Sequence, residues 1–480
     1  MTAPVPPPAA AAGAARGRRP PDRPPASTIS EHIRRTLKLA VPVMIARAGL
    51  VIMVTVDTVM VGQVSSDMLA HYGISLAPHV TLLVLGIGLM AATTILSAQA
   101  EGGRRQKSVG GIWRTSLRAG GGLGLIEAFI LLLGPQILLL LGQAPELAEP
   151  GGHALQMFAY GMPAIFLFLA CTNFLEGIGR PQVGMVITLS GNLVNAGFNY
   201  LLIEGHWGFP AMGAAGATLA TTVTRWCMLA AALGYLFLVM RDRQAYDIRF
   251  GGGFHLATAK KQLRLGLPLA VSIAIQTGAM ALVTAFAGWQ GKATVAAYQI
   301  CNNVVAFVFM LSIGLSTATA VRVANAIGRG DDEGRAKAAW VGLGMVLSLQ
   351  LCIGLAIFFL RPYLARAYTP DLQVVALAVP GLAIVALAVV MDGAHNVVQG
   401  SLRAHGDVLF PLCTYLTVYW VISVPLSYLL GYRLEWGAQG FLAGNLVGYL
   451  AMPALAGLLM MTAWNMSEPH KWRGYWAAPA

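Results

Sequence analysis

Charge is what this sequence has least of. Of 480 residues, 11% are Asp, Glu, Lys or Arg and 56% are apolar, with a mean hydropathy of +0.66, whereas soluble domains carry about 25% charged residues. So little charge cannot cover a water-soluble fold, which excludes a soluble enzyme and a disordered regulator. Cysteine is scarce too. Cys171, Cys227, Cys301, Cys352 and Cys413 all fall inside apolar segments without CxxC spacing, which excludes a disulfide scaffold and argues against a zinc site. There is no GxxxxGK[ST] loop, no HExxH, no GxSxG and no metal-spaced His/Cys cluster, so nucleotide hydrolysis by a P-loop and intramembrane hydrolase chemistry are not expected. Met1 to Ser27 is rich in Pro, Ala and Arg and has no apolar core. It reads as a disordered cytosolic tail rather than a signal peptide.

What is present is apolar length. Runs bounded by Gly, Pro and charge predict helices at 39–62, 71–99, 118–141, 153–176, 183–203 and 213–240. A second set falls at 264–288, 294–327, 338–360, 372–400, 408–430 and 437–463. Most reach the roughly 20 residues that cross ~30 Å of hydrocarbon, and they are continuously apolar rather than alternating, which excludes a β-barrel. The expected fold is an all-α membrane protein with twelve transmembrane helices.

The formal charge of +12 marks topology, since the basic residues form no long nucleic-acid-binding face. Of 32 Lys and Arg, Arg47 and Arg225 fall inside spans and Lys292, Arg361, Arg366 and Arg433 in one set of alternate loops. The rest crowd the tails and the other loops. By the positive-inside rule both termini face the cytoplasm.

The chain repeats itself. LKLAVP (37–42) matches LRLGLP (263–268), IGLMAAT (87–93) matches IGLSTAT (313–319), EGIGR (176–180) matches QGSLR (399–403) and GAAG (213–216) matches GAQG (437–440). Constant order and nearly constant offset divide the chain into a tail (1–36), a six-helix lobe (37–240), a cytosolic linker (241–262), a second six-helix lobe (263–463) and a tail (464–480). Parallel repeats of this kind place a substrate near mid-membrane at their interface, the architecture of a transporter. Pro42 and Pro268 match between the halves and are expected at helix starts. Pro163 and Pro380 interrupt matching spans.

Ionisable groups inside hydrocarbon are costly and therefore candidates for function. Asp57 stands in VTVDTVMVG, where it can bind a cation, take a proton or meet a cationic substrate, or else pair with a neighbouring helix. Asp392, His395, Asn396 and Gln399 share one face of the tenth span. Asp392 reads as cleft-lining and His395 by itself as a packing residue. Asn195 and Asn199, Ser272 and Gln276, and Gln299, Asn302 and Asn303 form weaker stripes that suit either ligation or helix packing. Glu127, Arg47 and Arg225 snorkel or pair. Met53, Met60, Phe286, Tyr298 and Phe307 can supply an adaptable apolar wall for flat cations or simply pack.

VDTVMVG (56–62), QAEGGRRQK (99–107), the fifth-span NxxxN and MDGAHNVVQGSLRAHGD (391–407) together resemble the multidrug and toxic compound extrusion (MATE) family, in its NorM-like branch, over about Leu37 to Thr462. The resemblance implies two six-helix lobes in a V and export of organic cations in exchange for protons or sodium ions. It requires no cofactor besides the transported ion. It places the coupling group at Asp57, Asn195, Asn199, Thr221 and Asp392, and leaves sodium possible at Asp57, Asn195 and Asn199. Taken with the polar stripes, the expected substrate cleft comprises Asp57, Gln276, Gln299, Asp392, His395 and Asn396. Gln276 departs from the branch, which usually has a glutamate there, and this removes a negative ligand from the second lobe. The expected setting is a monomer in a bacterial inner membrane. The competing readings are a lipid-linked oligosaccharide flippase, which needs a strongly cationic cavity, and a membrane-embedded transferase, which needs a catalytic constellation.

Overall fold

The structure, a computed structural model, describes residues 28–251 and 256–465. Most of the two expected tails lies outside the described residues. Those described form twelve helical columns and no strand. The first lobe comprises α1 (Ile29–Val64), α2 (Ser66–Met90, continued as Ala92–Gly102), α3 (Gln106–Leu132), α4 (Pro145–Ala159 and Met162–Gly177), α5 (Pro181–Leu202) and α6 (Gly213–Gly234). The second comprises α7 (Leu256–Trp289), α8 (Lys292–Arg329), α9 (Asp332–Tyr368), α10 (Leu372–Ala404), α11 (Leu409–Arg433) and α12 (Gly437–Asn465). Nine of these columns are long and apolar enough to cross a membrane, and the two halves of α4, bent by 40°, make a tenth. Of the other two, α5 is made less apolar by Asn192, Asn195 and Asn199.

Two ends differ from expectation. The first helix begins at Ile29, capped by the Thr28 hydroxyl, which accepts from Glu31 N. Residues 29–36, assigned to the tail by sequence, are therefore helical, and Pro42 lies inside α1. Pro268 likewise lies inside α7, whose first residues come from the linker. Hydropathy sees only the part of a helix in hydrocarbon, and both helices start in polar sequence before it. In α4, Pro163 stands just after the bend, while Pro380 leaves α10 continuous.

Each lobe has its own apolar core. One gathers Met53, Tyr72, Trp113, Phe158, Phe166 and Phe174 among others, and the second gathers Val283, Tyr298, Leu382, Tyr419 and Phe441. Clusters shared between lobes are confined to one end. Ile95 and Ala98 of α2 meet Val321 and Ala324 of α8, and Ala40 of α1 meets Leu315 and Ala318. The lobes thus join near the α2–α3 and α8–α9 turns, giving the V shape.

Glycine makes the junction close. A Cβ on Gly102 would lie 2.0 Å from Asn325 O, one on Gly328 2.1 Å from Gln99 O, and one on Gly266 2.4 Å from Leu89 O. Main chain therefore touches main chain. Gln99 Nε2 also donates to Ala404 O at 2.8 Å, and Arg322 Nη1 donates to His32 O at 2.8 Å. The linker folds back on the first lobe: Arg180 pairs with Asp242 at 2.6 Å, Arg114 with Asp247 at 3.0 Å, and Tyr246 Oη donates to Glu101 at 3.0 Å. Burial, with Glu101 beside it, holds the Tyr246 phenol above its ordinary range, so it stays a donor.

Overpacking a tight contact costs about 1–3 kcal/mol. Gly102→Val is expected to lower the thermal unfolding midpoint of the detergent-solubilised protein accordingly, whereas Gly122→Ala, with nothing within 4 Å of the added carbon, is not. Equal midpoints would contradict this junction.

Candidate functional site

Asp57 on α1 is reached from three other helices. It sits two turns before the end of α1, fully buried. Asn195 and Asn199, one turn apart on α5, present their amides on one face, and α2 and α6 bring Tyr72 and Thr221. Asn199 Nδ2 donates to Asp57 Oδ1 at 2.6 Å, Thr221 Oγ1 to Oδ2 at 2.6 Å and Tyr72 Oη to Oδ2 at 3.3 Å. A second layer orients the first: Asn199 Nδ2 also donates to Asn195 Oδ1, and Asn195 Nδ2 to Thr221 Oγ1, both at 3.3 Å. Burying a carboxylate is tolerable only when its lone pairs are met, and here both oxygens are. Tyr72, buried at 0% exposure, was not singled out from sequence, because a lone tyrosine near the start of a span reads as an interfacial anchor.

One turn beyond Thr221, Arg225 is also buried. Its Nη2 donates to His79 Nε2 at 2.9 Å, its Nη1 lies 3.8 Å from Met162 Sδ, and its guanidinium sits over the Phe158 ring. Phe158 stacks on His79 at 3.9 Å. Arg47 pairs with Glu176 of α4 at 3.4 Å. Both bases, Arg225 buried and Arg47 partly so, are thus held inside the first lobe. Glu127 is buried as well, and among the described residues its Oε2 has no hydrogen-bond partner.

In the second lobe Asp392 has a sparser setting. Asn396 Nδ2, from the next turn of α10, donates to its Oδ2 at 3.0 Å and to its backbone carbonyl at 2.9 Å. Gln276 Nε2 donates to Tyr419 Oη of α11 at 2.8 Å, within a wide-turned stretch, Leu416–Ser423, of i→i+5 bonding that often marks functional sites. His395 lies against Tyr415, ring centroids 5.2 Å apart.

The structure therefore brings together Asp57, Asn195, Asn199 and Thr221, and separately Asp392 with Asn396 and His395. It does not place these groups on an open cleft. Asp57, Asp392, His395 and Asn396 are 0%, 4%, 1% and 4% exposed, inside the lobes. Sequence shows that an acid has apolar neighbours, not which way it faces. Gln299 lies exposed on α8, and among the described residues it makes no hydrogen bond to the Asp392 group. The expected apolar wall is dispersed too: Met53, Phe286 and Tyr298 are buried in separate cores while Phe307 is 61% exposed. Among the described residues no three His, Cys, Asp or Glu gather as a metal site. A transported sodium ion would have to use amide oxygens, and Asn199 Oδ1, fully buried without a hydrogen-bond partner among the described residues, is one such oxygen.

Removing one donor from a buried acceptor costs about 1–3 kcal/mol. Asn199→Leu and Thr221→Val, which delete the 2.6 Å bonds, are expected to lower thermal stability more than Tyr72→Phe, which deletes the 3.3 Å bond. The reverse ranking in a thermal-shift assay at neutral pH would refute this donor arrangement.

The MatE family model matches residues 42–201 and 268–429, one stretch in each lobe. The chain is similar to the probable multidrug resistance protein NorM of Caulobacter vibrioides, 31% identical over 443 residues covering 92% of this chain and 93% of that protein. It is also similar to the protein of the same description from Pseudomonas aeruginosa, 32% identical over 443 residues covering 91% and 90%. Among solved structures, a eukaryotic MATE transporter superposes with a TM-score of 0.83 at 17% identity, covering 90% of this chain and 96% of that one. An outward-facing MATE family transporter superposes with the same TM-score at 19% identity, covering 91% and 97%. With both lobes matched by one family model and relatives of this kind aligned along nine-tenths of its length, the chain belongs to the MatE family of multidrug and toxic compound extrusion transporters, in its NorM-like branch.

Proposed function

We propose that this chain is a multidrug exporter that moves small organic cations out of the cell by alternating access, in exchange for protons or sodium ions. The observation that carries the reading is the enclosed acid of the first lobe, Asp57, with donors from three other helices on its two oxygens. A change of charge at that carboxylate alters what α1, α2, α5 and α6 require of one another at once. That gives an ion a means of biasing two arrangements of the lobe. Asn195, Asn199 and Thr221 hold the acid, and Asp392 is the second coupling acid.

Protons suit the first site better than sodium. Asp57 supplies one negative charge and its oxygens are already engaged by three donors, which a sodium ion would have to displace. A proton adds to one oxygen and needs only the rotation of a donor. The flippase reading finds less support, because Arg47 and Arg225 are occupied by Glu176 and His79 inside the first lobe and do not face a pyrophosphate.

The membrane is then the bacterial inner membrane, with the joined end of the lobes, both termini and the linker cytoplasmic, and the monomer as the working unit. The segment 142–152, expected from sequence as an external loop and formed by the turn before α4 and the first residues of that helix, faces outward. Glu146 is exposed there, whereas Ala148 is 1% exposed, so Glu146→Cys in a cysteine-free background is expected to react with an impermeant maleimide in intact cells. Labelling only after permeabilisation would reverse the orientation.

In reconstituted vesicles, ethidium transport is expected under an imposed proton gradient without sodium. Asp57→Asn should abolish it at normal expression, since the isostere keeps the shape and cannot cycle charge. Transport driven solely by sodium would remove the proton reading. Full activity of Asp57→Asn would remove Asp57 from coupling.

A further inference from the structure

A hollow on the flank of the first lobe has no part in the exchange described above, since neither Asp57 nor Asp392 lines it. It measures about 210 Å³ and is framed by Leu117 of α3, Leu167 of α4 and Leu229 and Leu233 of α6, toward the end of the lobe from which the linker departs. The linker roofs it with Phe250, which stacks on Phe237 at 4.5 Å and tilts against Trp113, ring centroids 6.3 Å apart. The roof is seated on main chain: a Cβ on Gly110 of α3 would lie 1.8 Å from Tyr246 O. Pockets for drug-sized molecules run to roughly 300–1,000 Å³. This one is too small for such a cation and suits a stretch of hydrocarbon chain.

Its rim is basic. Arg114, Arg118 and Arg249 line the hollow, and among the described residues no acid does. Asp247 of the linker is shared: Arg114 Nη2 meets its Oδ2 and Arg249 Nε its Oδ1, both at 3.0 Å. One carboxylate against three guanidiniums leaves positive charge at the rim, and two of the three, Arg118 and Arg249, are exposed. From Arg118 an apolar track continues along α3. Gly122, Leu125 and Phe129 follow on the same helix face, with open space beside Gly122 and with Leu125 and Phe129 65% and 68% exposed. From Arg118 to Phe129 the helix rises roughly 16 Å, about the depth of one leaflet of a ~30 Å hydrocarbon core. The second lobe has no such basic pair. Carried across by the offset that relates 87–93 to 313–319, the places of Arg114 and Arg118 fall on Trp340 and Gly344, so the rim belongs to this lobe and not to the duplicated scaffold.

We propose that the hollow and its rim bind one anionic phospholipid from the leaflet that the linker faces, its phosphate held by the Arg118 and Arg249 guanidiniums and an acyl chain lying in the hollow and along the α3 track. Guanidiniums hold phosphate through charge-assisted, bidentate hydrogen bonds, and basic pockets between membrane helices take acidic headgroups in this way. Both oxygens of Asp247 are already engaged by guanidiniums, so the rim offers little to a choline or ethanolamine group and disfavours net-neutral lipids. The leucine walls separate a lipid from free phosphate, which gains nothing from them. A lipid bound here bridges α3 and the linker, and so fastens the connection between the lobes to the first of them. The inference goes beyond the exporter reading and does not depend on what the chain exports.

The test uses the full-length protein purified in detergent, with native mass spectrometry counting the lipids that stay bound. At equal concentrations one dioleoylphosphatidylglycerol is expected to be retained at least fivefold over dioleoylphosphatidylcholine, and an excess of inorganic phosphate is expected not to displace it. Arg118→Gln with Arg249→Gln should lower that retention at least fivefold. Leu233→Trp, which fills the hollow without altering charge, should do the same. Lys107→Gln with Lys260→Gln removes equal charge from exposed positions elsewhere and should leave retention unchanged. Equal retention of the two lipids, displacement by phosphate, or a loss in the lysine variant as large as in the arginine variant overturns the proposal. So does unchanged retention in either the arginine variant or Leu233→Trp. A second measurement needs no variant: a ligand that binds the folded state raises the unfolding midpoint, so phosphatidylglycerol should raise that of the unmodified protein and phosphatidylcholine should not. Equal shifts also overturn the proposal. Neither readout involves transport, so failure of ethidium export alone would refute the exporter reading and leave lipid retention standing.

Discussion

A carboxylate inside hydrocarbon must be met by donors, and the first lobe is arranged around that requirement at Asp57. Each bond from a neutral donor to an ionised acceptor contributes about 1.5–3 kcal/mol, set against a desolvation penalty of several kcal/mol. No single helix can supply enough donors, so α1, α2, α5 and α6 have to converge. Convergence explains much of the polar spacing of α5 and its reduced hydropathy, since Asn195 and Asn199, two of the three asparagines that make it a poor span on composition, are those that make the site. It also explains why Tyr72 is drawn into the core with its hydroxyl inward rather than toward the membrane surface.

The second lobe does not repeat this solution, although the sequence repeat relates the halves. Asp392 receives its side-chain hydrogen bond from its own helix, and Gln276, where relatives are expected to carry an acid, is engaged with Tyr419. One acid is held by a cage spanning four helices and the other stands beside unmet polar atoms. Duplication produced two similar scaffolds, and the polar residues placed in them have made the lobes chemically unequal.

The spans, the repeat and the two acids were legible in the sequence because hydropathy and the cost of buried charge are properties of short stretches. Helix starts were less so. Pro42 and Pro268 looked like first-turn residues, yet both helices extend back into polar sequence that hydropathy does not score. The orientation of the acids was hidden for another reason. The partners of Asp57 on α5 and α6 lie 142 and 164 residues away, and local periodicity carries no information about contacts at that distance. Arg225 illustrates the same limit: its partner is His79, 146 residues earlier, not an acid that charge counting would select.

The glycine contacts between the lobes have a consequence for how the molecule comes apart. Gly102, Gly266 and Gly328 press backbone against backbone across the junction, so at these points the two faces are smooth rather than interlocked. Interdigitated side chains would have to disengage one rotamer at a time and leave ragged surfaces that fit again in only one register. Smooth faces behave like wetted plates, which part by admitting a film of water and close by expelling it. The energy of opening then depends on hydrating a few main-chain carbonyls, a quantity nearly indifferent to which compound is being carried.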